Sequence, residues 1–277
     1  MKGDSIMKNP KKSTVISIIN LKGGVGKTIT AINMAHCLAV FHDLKVLIID
    51  NDKQGNTSKF FGCHSYDNEN IADVLLLKCK MKDVIQKTAF ENIDIIPSNM
   101  RLLQANKEVL LDSSKPQQNR FILGLQSVLS EYDICIFDNA PDINMSVINA
   151  LTASDDVIIP VKSDEFTFDG VDIMLEQIAD IRQYFNPKLK FKGCLLTNYR
   201  NNEVNNQSRA LFKDKHKLFE TKIRWTDKVD ESTFAKMPIV NYSRRCGAAR
   251  DYIAFVNEYL ETVAESGTKG SGTNAKV

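Results

Sequence analysis

The sequence predicts an α/β fold, a doubly wound and mostly parallel β-sheet flanked by helices. Short apolar runs alternate along the chain with longer segments in which apolar residues recur at helical spacing. The runs are continuously apolar, as in residues 46–49 before Asp50, which is typical of parallel strands buried on both faces. A glycine-rich loop joins the first run to the first helical segment, at the edge where the carboxyl ends of parallel strands meet.

Strands and helices are predicted in a regular order. The six predicted strands cover residues 15–19, 45–50, 93–96, 134–137, 157–161 and 194–196. A first helix begins at Thr28, and further helices are predicted over residues 71–78, 100–111, 117–130, 169–185, 206–217 and 248–263. Residues 1–13 are expected to form a flexible arm, 14–264 a single domain, and the Gly-, Ser- and Thr-rich residues 265–277 a disordered tail.

The glycine-rich loop carries the strongest functional signal. Strand, glycines, Lys27-Thr28 and helix follow in the order of a phosphate-binding P-loop. Glycines let the backbone aim N–H groups at a phosphate, Lys27 would reach the terminal phosphates, and the Thr28 hydroxyl would bind Mg²⁺. The residues predicted to contact the nucleotide are Gly23, Gly24, Val25, Gly26, Lys27, Thr28 and Ile29. The alternative, a tight glycine turn with a surface lysine, does not require the flanking strand and helix.

Acidic residues end two of the predicted strands. Asp50 and Asp52 stand two residues apart after the second strand, and Asp138 follows the four apolar residues of the fourth. The carboxyl ends of parallel strands meet at one edge, so these acids are expected beside the P-loop. Asp50 and Asp138 are predicted to bind Mg²⁺ together with Thr28. For residues 50–56 the alternative is an Asx-rich turn.

The composition is that of a globular protein. The 277 residues are 43% hydrophobic and 25% charged, and no apolar run approaches the roughly 18 residues that cross a bilayer. Six cysteines and four histidines are scattered, which disfavours a disulfide framework or a zinc site. Without a recognisable signal peptide, the chain is expected to be cytoplasmic, with reduced thiols and no membrane partner.

Positive charge is concentrated in one part of the chain. The net charge is only +2, but residues 182–250 contain sixteen Lys and Arg against six Asp and Glu. Such an excess suggests a surface that faces a polyanion. Solvated helix faces that share no common surface would explain it equally well.

Lys22 distinguishes this loop from a plain P-loop. Residues 22–28, Lys-Gly-Gly-Val-Gly-Lys-Thr, resemble the deviant Walker A motif of the ParA/MinD superfamily of ATPases. In that family the additional lysine reaches across a dimer interface to the partner's nucleotide. The resemblance therefore implies that Lys22 and Lys27 are catalytic, and that the ATP-bound form is a nucleotide-sandwich homodimer. From this chain alone, Lys22 could equally be a solvated surface charge.

Later segments resemble the same family in the same order. Residues 50–56 resemble its Asp-x-Asp-Pro-Gln-Gly-Asn motif, which implies that Asp52 positions the attacking water, with Lys53 in place of the proline. Residues 133–141 resemble its Walker B strand, with Ala140 in place of the first of two prolines.

Two further segments extend the resemblance. Residues 149–170 also look like the ParA branch, and residues 195–199 imply that Asn198 lies near the adenine. The resemblance covers most of residues 14–262.

The ParA branch fits better than its neighbours. MinD-like ATPases end in a membrane-binding amphipathic helix, whereas the polar residues 265–273 could bury nothing in lipid. The nitrogenase iron protein needs cluster-binding cysteines after the Walker B strand, whereas Cys135 lies within it. The implied function is ATP-dependent DNA partitioning with ATP and Mg²⁺ as cofactors. Intrinsic hydrolysis would be slow, a ParB-type partner would stimulate it, and the protein would associate with the nucleoid.

Non-specific double-stranded DNA is the polyanion that the resemblance implies. The candidate contacts are Arg224, Lys228, Arg244, Arg245 and Arg250. Trp225 could stack on a base, although packing is the commoner role of a lone tryptophan. The alternatives are an ATPase of this fold that positions other cargo, and a P-loop biosynthetic enzyme of the dethiobiotin-synthetase type.

Overall fold

An eight-stranded β-sheet runs through the chain, which a computed structural model describes over residues 13–162 and 167–268. The strands are β1 (Thr14–Ile18), β2 (Val46–Asn51), β3 (Gln86–Lys87), β4 (Ile93–Ile96), β5 (Ile134–Asn139), β6 (Asp156–Lys162), β7 (Lys190–Tyr199) and β8 (Leu218–Arg224). Their spatial order is β3-β4-β2-β5-β1-β6-β7-β8, and every neighbouring pair is parallel except β3 with β4. The predicted doubly wound, mostly parallel sheet is confirmed.

Helices cover both faces of the sheet. They are α1 (Lys27–His42), α2 (Asn56–Phe60), α3 (Ile71–Leu75), α4 (Arg101–Leu111), α5 (Arg120–Leu125), α6 (Met145–Ala153), α7 (Thr167–Tyr184), α8 (Glu203–Lys215), α9 (Asp227–Phe234), α10 (Ile239–Tyr242) and α11 (Gly247–Thr268). One face packs mainly against α1 and α11, and the other against α3 to α7. No helix in the described ranges is long and apolar enough to cross a membrane.

The continuous apolar runs are buried on both sides. In β2, Val46 and Ile48 join the apolar cluster beneath α1 and α11, whereas Leu47 and Ile49 join the cluster on the opposite face. Successive side chains of a strand point to opposite faces, so a strand covered on both faces must be apolar at every position. This is the arrangement that the sequence pattern predicts.

The elements that the sequence did not reveal lack such a pattern. In the edge strand β8, Phe219 and Ile223 are buried while Glu220 and Arg224 are exposed. Sequence analysis also missed β3, α2, α6, α9 and α10, and it expected one long helix where the structure has α5 and a separate 3-10 helix, Leu129–Glu131. Residues 223–232, for which no strand or helix was predicted, contain the end of β8 and most of α9, whose first turn is capped by the Thr226 side chain.

The structure describes only part of the segments predicted to be a flexible arm and a disordered tail. Residues 1–12 of the expected arm lie outside the described residues, as do residues 163–166 and 269–277. Residues 265–268 were expected in a disordered tail, but they continue α11, which ends at Thr268. That boundary was wrong because apolar spacing marks only the packed part of a helix, and helical backbone can continue beyond it.

Candidate functional site

The glycine-rich loop wraps tightly between β1 and α1. Gly24 and Gly26 have φ angles of 69° and 82°, a region that residues with a side chain rarely adopt. The Nζ of Lys27 donates to the carbonyl oxygen of Lys22 at 3.0 Å, and Lys27 is only 8% exposed. Burial lowers the pKa of Lys27, while the charges of Asp138 and Asp52 oppose that shift. The glycine-rich loop therefore encloses the Lys27 side chain.

The outer part of the loop is tied to β6 and β7. The Thr197 hydroxyl lies 2.8 Å from the carbonyl oxygen of Val25 and 3.1 Å from that of Val161, and can donate to either. The Asn20 side chain donates to the Pro160 carbonyl at 2.8 Å. These bonds orient the loop before any ligand binds.

Asp50 and Asp138 lie side by side because β2 and β5 pair in parallel with these two residues in register. The Ser58 N–H and hydroxyl donate to one oxygen of Asp50 at 2.8 and 2.6 Å. The hydroxyls of Thr28 and Thr57 donate to Oδ2 of Asp138 at 2.8 and 2.7 Å. Burial raises the pKa of both acids, and the charge of Asp138 raises that of Asp50 further.

The geometry at Asp138 fits a magnesium ion. Its Oδ1 is buried and has no hydrogen-bond partner among the described residues. A carboxylate oxygen in that state is costly unless a cation satisfies it. Oδ1 of Asp138 and the Thr28 hydroxyl are oxygen donors of the kind Mg²⁺ prefers. Asp50 has hydrogen bonds to both oxygens, including one from the Asp52 N–H at 3.2 Å, so it suits a contribution of charge or a water-mediated contact.

The loop after β2 carries Asp52, whose charge lies close enough to Asp138 to affect the pKa of that acid. Its Oδ1 accepts from the Gln54 N–H at 3.0 Å, and its carbonyl accepts from the Gly55 N–H at 2.9 Å. Gly55 has φ 63°, and a Cβ there would lie 2.7 Å from the Ser98 carbonyl oxygen. Lys53, which replaces the family's proline, forms an ion pair with Asp142 at 3.6 Å. This pair joins the loop after β2 to the loop after β5.

A cleft of about 900 Å³ runs from the glycine-rich loop to the ends of β7 and β8. Among the described residues that line it are Gly23, Gly24, Gly26, Lys27, Thr28, Ile29, Asp52, Asn56, Asn198, Arg200, Arg224, Trp225 and Asp230. Asn198 adopts φ 51° at its rim. The structure therefore brings together most of the predicted nucleotide-contacting residues. The Val25 side chain is buried beneath the loop backbone. Lys22 is not among the described residues that line the cleft.

The five predicted DNA contacts occupy different settings. Arg224 lines the cleft and forms an ion pair with Asp251 at 2.7 Å, and its side chain remains exposed. Lys228 forms an ion pair with Glu231 at 2.7 Å. Arg244, Arg245 and Arg250 are exposed around the start of α11.

Several residues that shape the site were not predicted. Thr57 and Ser58 hold the two buried acids, and Thr197 holds the glycine-rich loop. No motif in the sequence singles out these three residues, because a serine or threonine near a loop is common. Arg200 was not predicted either. It follows β7 and lines the cleft together with Trp225, which follows the neighbouring strand β8.

Comparison with known proteins places these features in a family. The family profile described as an AAA domain (AAA_31) matches residues 13–191. Sporulation initiation inhibitor protein Soj of Bacillus subtilis is 33% identical over 250 residues, covering 88% of this chain and 97% of Soj. Chromosome partitioning protein ParA of Caulobacter vibrioides is 31% identical over 254 residues, covering 89% and 93%.

A solved structure gives a similar result for the fold. Cobyrinic acid a,c-diamide synthase from Mycobacterium smegmatis, with bound ADP and magnesium, superposes with a TM-score of 0.79 at 25% identity. The match covers 92% of this chain and 96% of the synthase.

The close approach at Gly55 is open to a stability test. Gly55→Ala is expected to lower the free energy of unfolding by about 2–4 kcal/mol, because a positive φ and a clash with the Ser98 carbonyl add together. Gly62→Ala is the matched control: φ is 72°, nothing lies within 4 Å, and a loss of about 1–2 kcal/mol is expected. Urea unfolding measures both, and equal losses would contradict the role of the close approach.

Proposed function

The chain belongs to the ParA/MinD-type ATPases, and on that premise we propose that it partitions DNA in a cycle of ATP binding and hydrolysis. The observation that carries the nucleotide chemistry is the buried Oδ1 of Asp138, which has no hydrogen-bond partner among the described residues and lies beside the Thr28 hydroxyl and Lys27. The similarity to Soj and ParA over nearly the whole chain supports the partitioning role. A cytoplasmic, nucleoid-associated location follows from the proposal.

The residues of the cleft would divide the work on Mg-ATP between them. Backbone N–H groups of the glycine-rich loop and Lys27 would bind the phosphates, and Thr28 and Asp138 would hold Mg²⁺, which neutralises phosphate charge when bound. Asp52 would orient the water that attacks the terminal phosphate. Asp52 is suited to this because it lines the cleft, whereas Asp50 is buried and hydrogen-bonded to Ser58.

Dimerisation would complete the site. The Lys22 carbonyl accepts from Lys27 at 3.0 Å. The resemblance of residues 22–28 to the deviant Walker A motif supports a role for the Lys22 side chain at the nucleotide of a second copy. The ATP-bound homodimer would bind DNA without sequence preference, and a ParB-type partner would stimulate hydrolysis and release.

The proposed DNA surface lies at the start of α11. Arg244, Arg245 and Arg250 are exposed there, and Arg244 lies 5.7 Å from the ring centre of Phe41. Lys228 is a weaker candidate because Glu231 compensates its charge. Contacts of arginine with phosphate oxygens release counterions, so such binding weakens steeply with salt.

A biosynthetic role is the second candidate. The likeness to cobyrinic acid a,c-diamide synthase, which is a biosynthetic enzyme by its name, favours it. The higher identity to Soj and ParA favours partitioning. ATP turnover that needs a small acceptor and ignores DNA would favour the biosynthetic role. An ATPase that positions other cargo is the third candidate, and the identity of its partner would distinguish it.

Retention of non-specific duplex DNA tests the proposal first. Binding is expected with ATP, not with ADP or without nucleotide, and it should weaken steeply between two salt concentrations. Arg244→Ala, Arg245→Ala and Arg250→Ala should each reduce the slope of log affinity against log salt by about 0.9 per lost phosphate contact. Arg182→Ala, an exposed arginine on α7, is the control. Absence of DNA binding under every condition would sink the partitioning role and leave the ATPase fold standing.

Asp52→Ala tests the assignment of the water-positioning residue. ATP turnover should fall by about 100-fold or more, because an unpositioned water attacks slowly, and the ATP-bound dimer should persist on DNA. Asp180→Ala, which removes an exposed acid from α7, is the control and should retain most turnover. Undiminished hydrolysis by the Asp52 variant would remove Asp52 from the mechanism.

Lys22→Ala tests the contact between subunits. The variant should bind ATP as a monomer but fail to dimerise, as measured by sedimentation velocity with ATP and Mg²⁺. Lys188→Ala, an exposed lysine at the opposite edge of the sheet, should dimerise normally. If the Lys22 variant still forms the ATP dimer, its assignment to the partner's nucleotide is wrong.

A further inference from the structure

One wall of the cleft consists of side chains that the proposed phosphate chemistry does not use. Arg200 and Trp225 each follow the end of a strand, β7 at Tyr199 and β8 at Arg224. Those strands are parallel neighbours with Tyr199 opposite Arg224, and the Trp225 N–H donates to the Tyr199 carbonyl at 2.9 Å. The topology therefore places the two side chains next to each other at the carboxyl edge of the sheet.

Arg200 and Trp225 stack on one another. The guanidinium carbon of Arg200 lies 3.9 Å from the centre of the Trp225 ring, within the range of a cation–π contact. Both residues line the cleft, and Trp225 remains 41% exposed. The only other aromatic residue among the described lining residues is Tyr252, which is 2% exposed. Within the described cleft, only Trp225 offers an accessible aromatic surface.

Arg224 holds this wall of the cleft in place through Asp251. Its backbone N–H and its Nε donate to one oxygen of Asp251 at 2.9 and 2.7 Å, and its second guanidinium nitrogen donates to the other at 2.7 Å. Its side chain crosses the first turn of α11 at Gly247, where a Cβ would overlap it. A bidentate pair of this kind holds both partners in one geometry. Trp225 is the next residue, so this clamp also sets where its indole lies.

We propose that Arg200 and Trp225 form the platform on which the nucleobase stacks, and that Arg224 and Asp251 are the residues that position it. This inference rests on the proposed nucleotide binding, because it assigns the phosphates to the glycine-rich loop and therefore the base to the far end of the same cleft. Planar heterocycles stack on indole and guanidinium surfaces regardless of sequence or substituent pattern. Trp225 and Arg224 are thereby assigned to the nucleotide and not to DNA.

The composition of the chain makes the platform directly observable. Trp225 is the only tryptophan in the 277 residues, so intrinsic tryptophan fluorescence reports this wall alone. ATP with Mg²⁺ should change the emission of the unmodified protein. Inorganic tripolyphosphate with Mg²⁺ has the phosphates but no base, and it should bind without that change. Calorimetric titration gives the affinity of each compound independently of the fluorescence.

Substitutions separate stacking from a general structural role. Trp225→Ala should weaken ATP binding by about 5- to 50-fold, since a base–aromatic stack contributes on that scale, and should leave tripolyphosphate binding within about twofold. Trp225→Phe should restore most of the loss. Arg200→Ala and Arg224→Gln should weaken ATP binding in the same selective way. Phe234→Ala, which removes a 92% exposed ring from α9 outside the cleft lining, and Arg209→Ala are the matched controls.

The outcomes distinguish this inference from the proposed function. If the unmodified protein binds ATP but Trp225→Ala binds it equally well, the platform is wrong and the ATPase assignment stands. Equal losses for ATP and tripolyphosphate would also overturn the platform, because they would indicate a structural role for Trp225. If the unmodified protein binds neither compound, the proposed nucleotide binding fails and the platform fails with it.

Discussion

The register between β2 and β5 places two carboxylates against each other inside the protein, and much of the surrounding structure compensates for that contact. Asp50 faces Asp138, and one residue further Asn51 faces Asn139. Buried charges of the same sign are costly, and hydroxyl or N–H donors reduce the cost only in part. The donors come from the first turns of α1 and α2, so the positions of both helices are linked to the acid pair. Oδ1 of Asp138 has no hydrogen-bond partner within the described part of the chain, which makes the site suited to a cation.

The asparagine pair continues this arrangement beyond the acids. The Asn51 side chain donates to Asn139 at 2.8 Å and to the Ser146 carbonyl at 3.1 Å, while Asn139 donates to the Ile18 carbonyl at 3.2 Å. The ends of β1, β2 and β5 and the start of α6 are therefore joined by buried hydrogen bonds. These buried hydrogen bonds fix backbone positions, because moving any one of these elements would leave a further buried polar group unsatisfied. The end of the cleft at the glycine-rich loop is consequently held in place, and the Thr197 hydroxyl connects that loop to β7.

The uneven charge of the sequence has a different meaning once the chain is folded. Arg209 and Lys213 both bind Glu220, and Lys192 is buried beside Asp156. With the Arg224 and Lys228 pairs, at least five of the sixteen basic residues between 182 and 250 are held in ion pairs. A polyanion responds to the potential at an accessible surface and not to a count of residues. The exposed arginines near the start of α11 are therefore a smaller but better defined surface than the composition suggested.

Most of the sheet, the glycine-rich loop and the acids at the strand ends can be predicted from the sequence alone. Each of these is a local pattern: continuous apolar runs such as residues 46–49, glycines at Gly24 and Gly26, and Asp50 and Asp138 at the end of a run. The pairing of β7 with β8, which brings Arg200 to Trp225, and the ion pair between Arg224 and Asp251 are seen only in the folded chain. Contacts between residues far apart in the chain cannot be predicted from local periodicity, because they depend on how the intervening helices and strands pack.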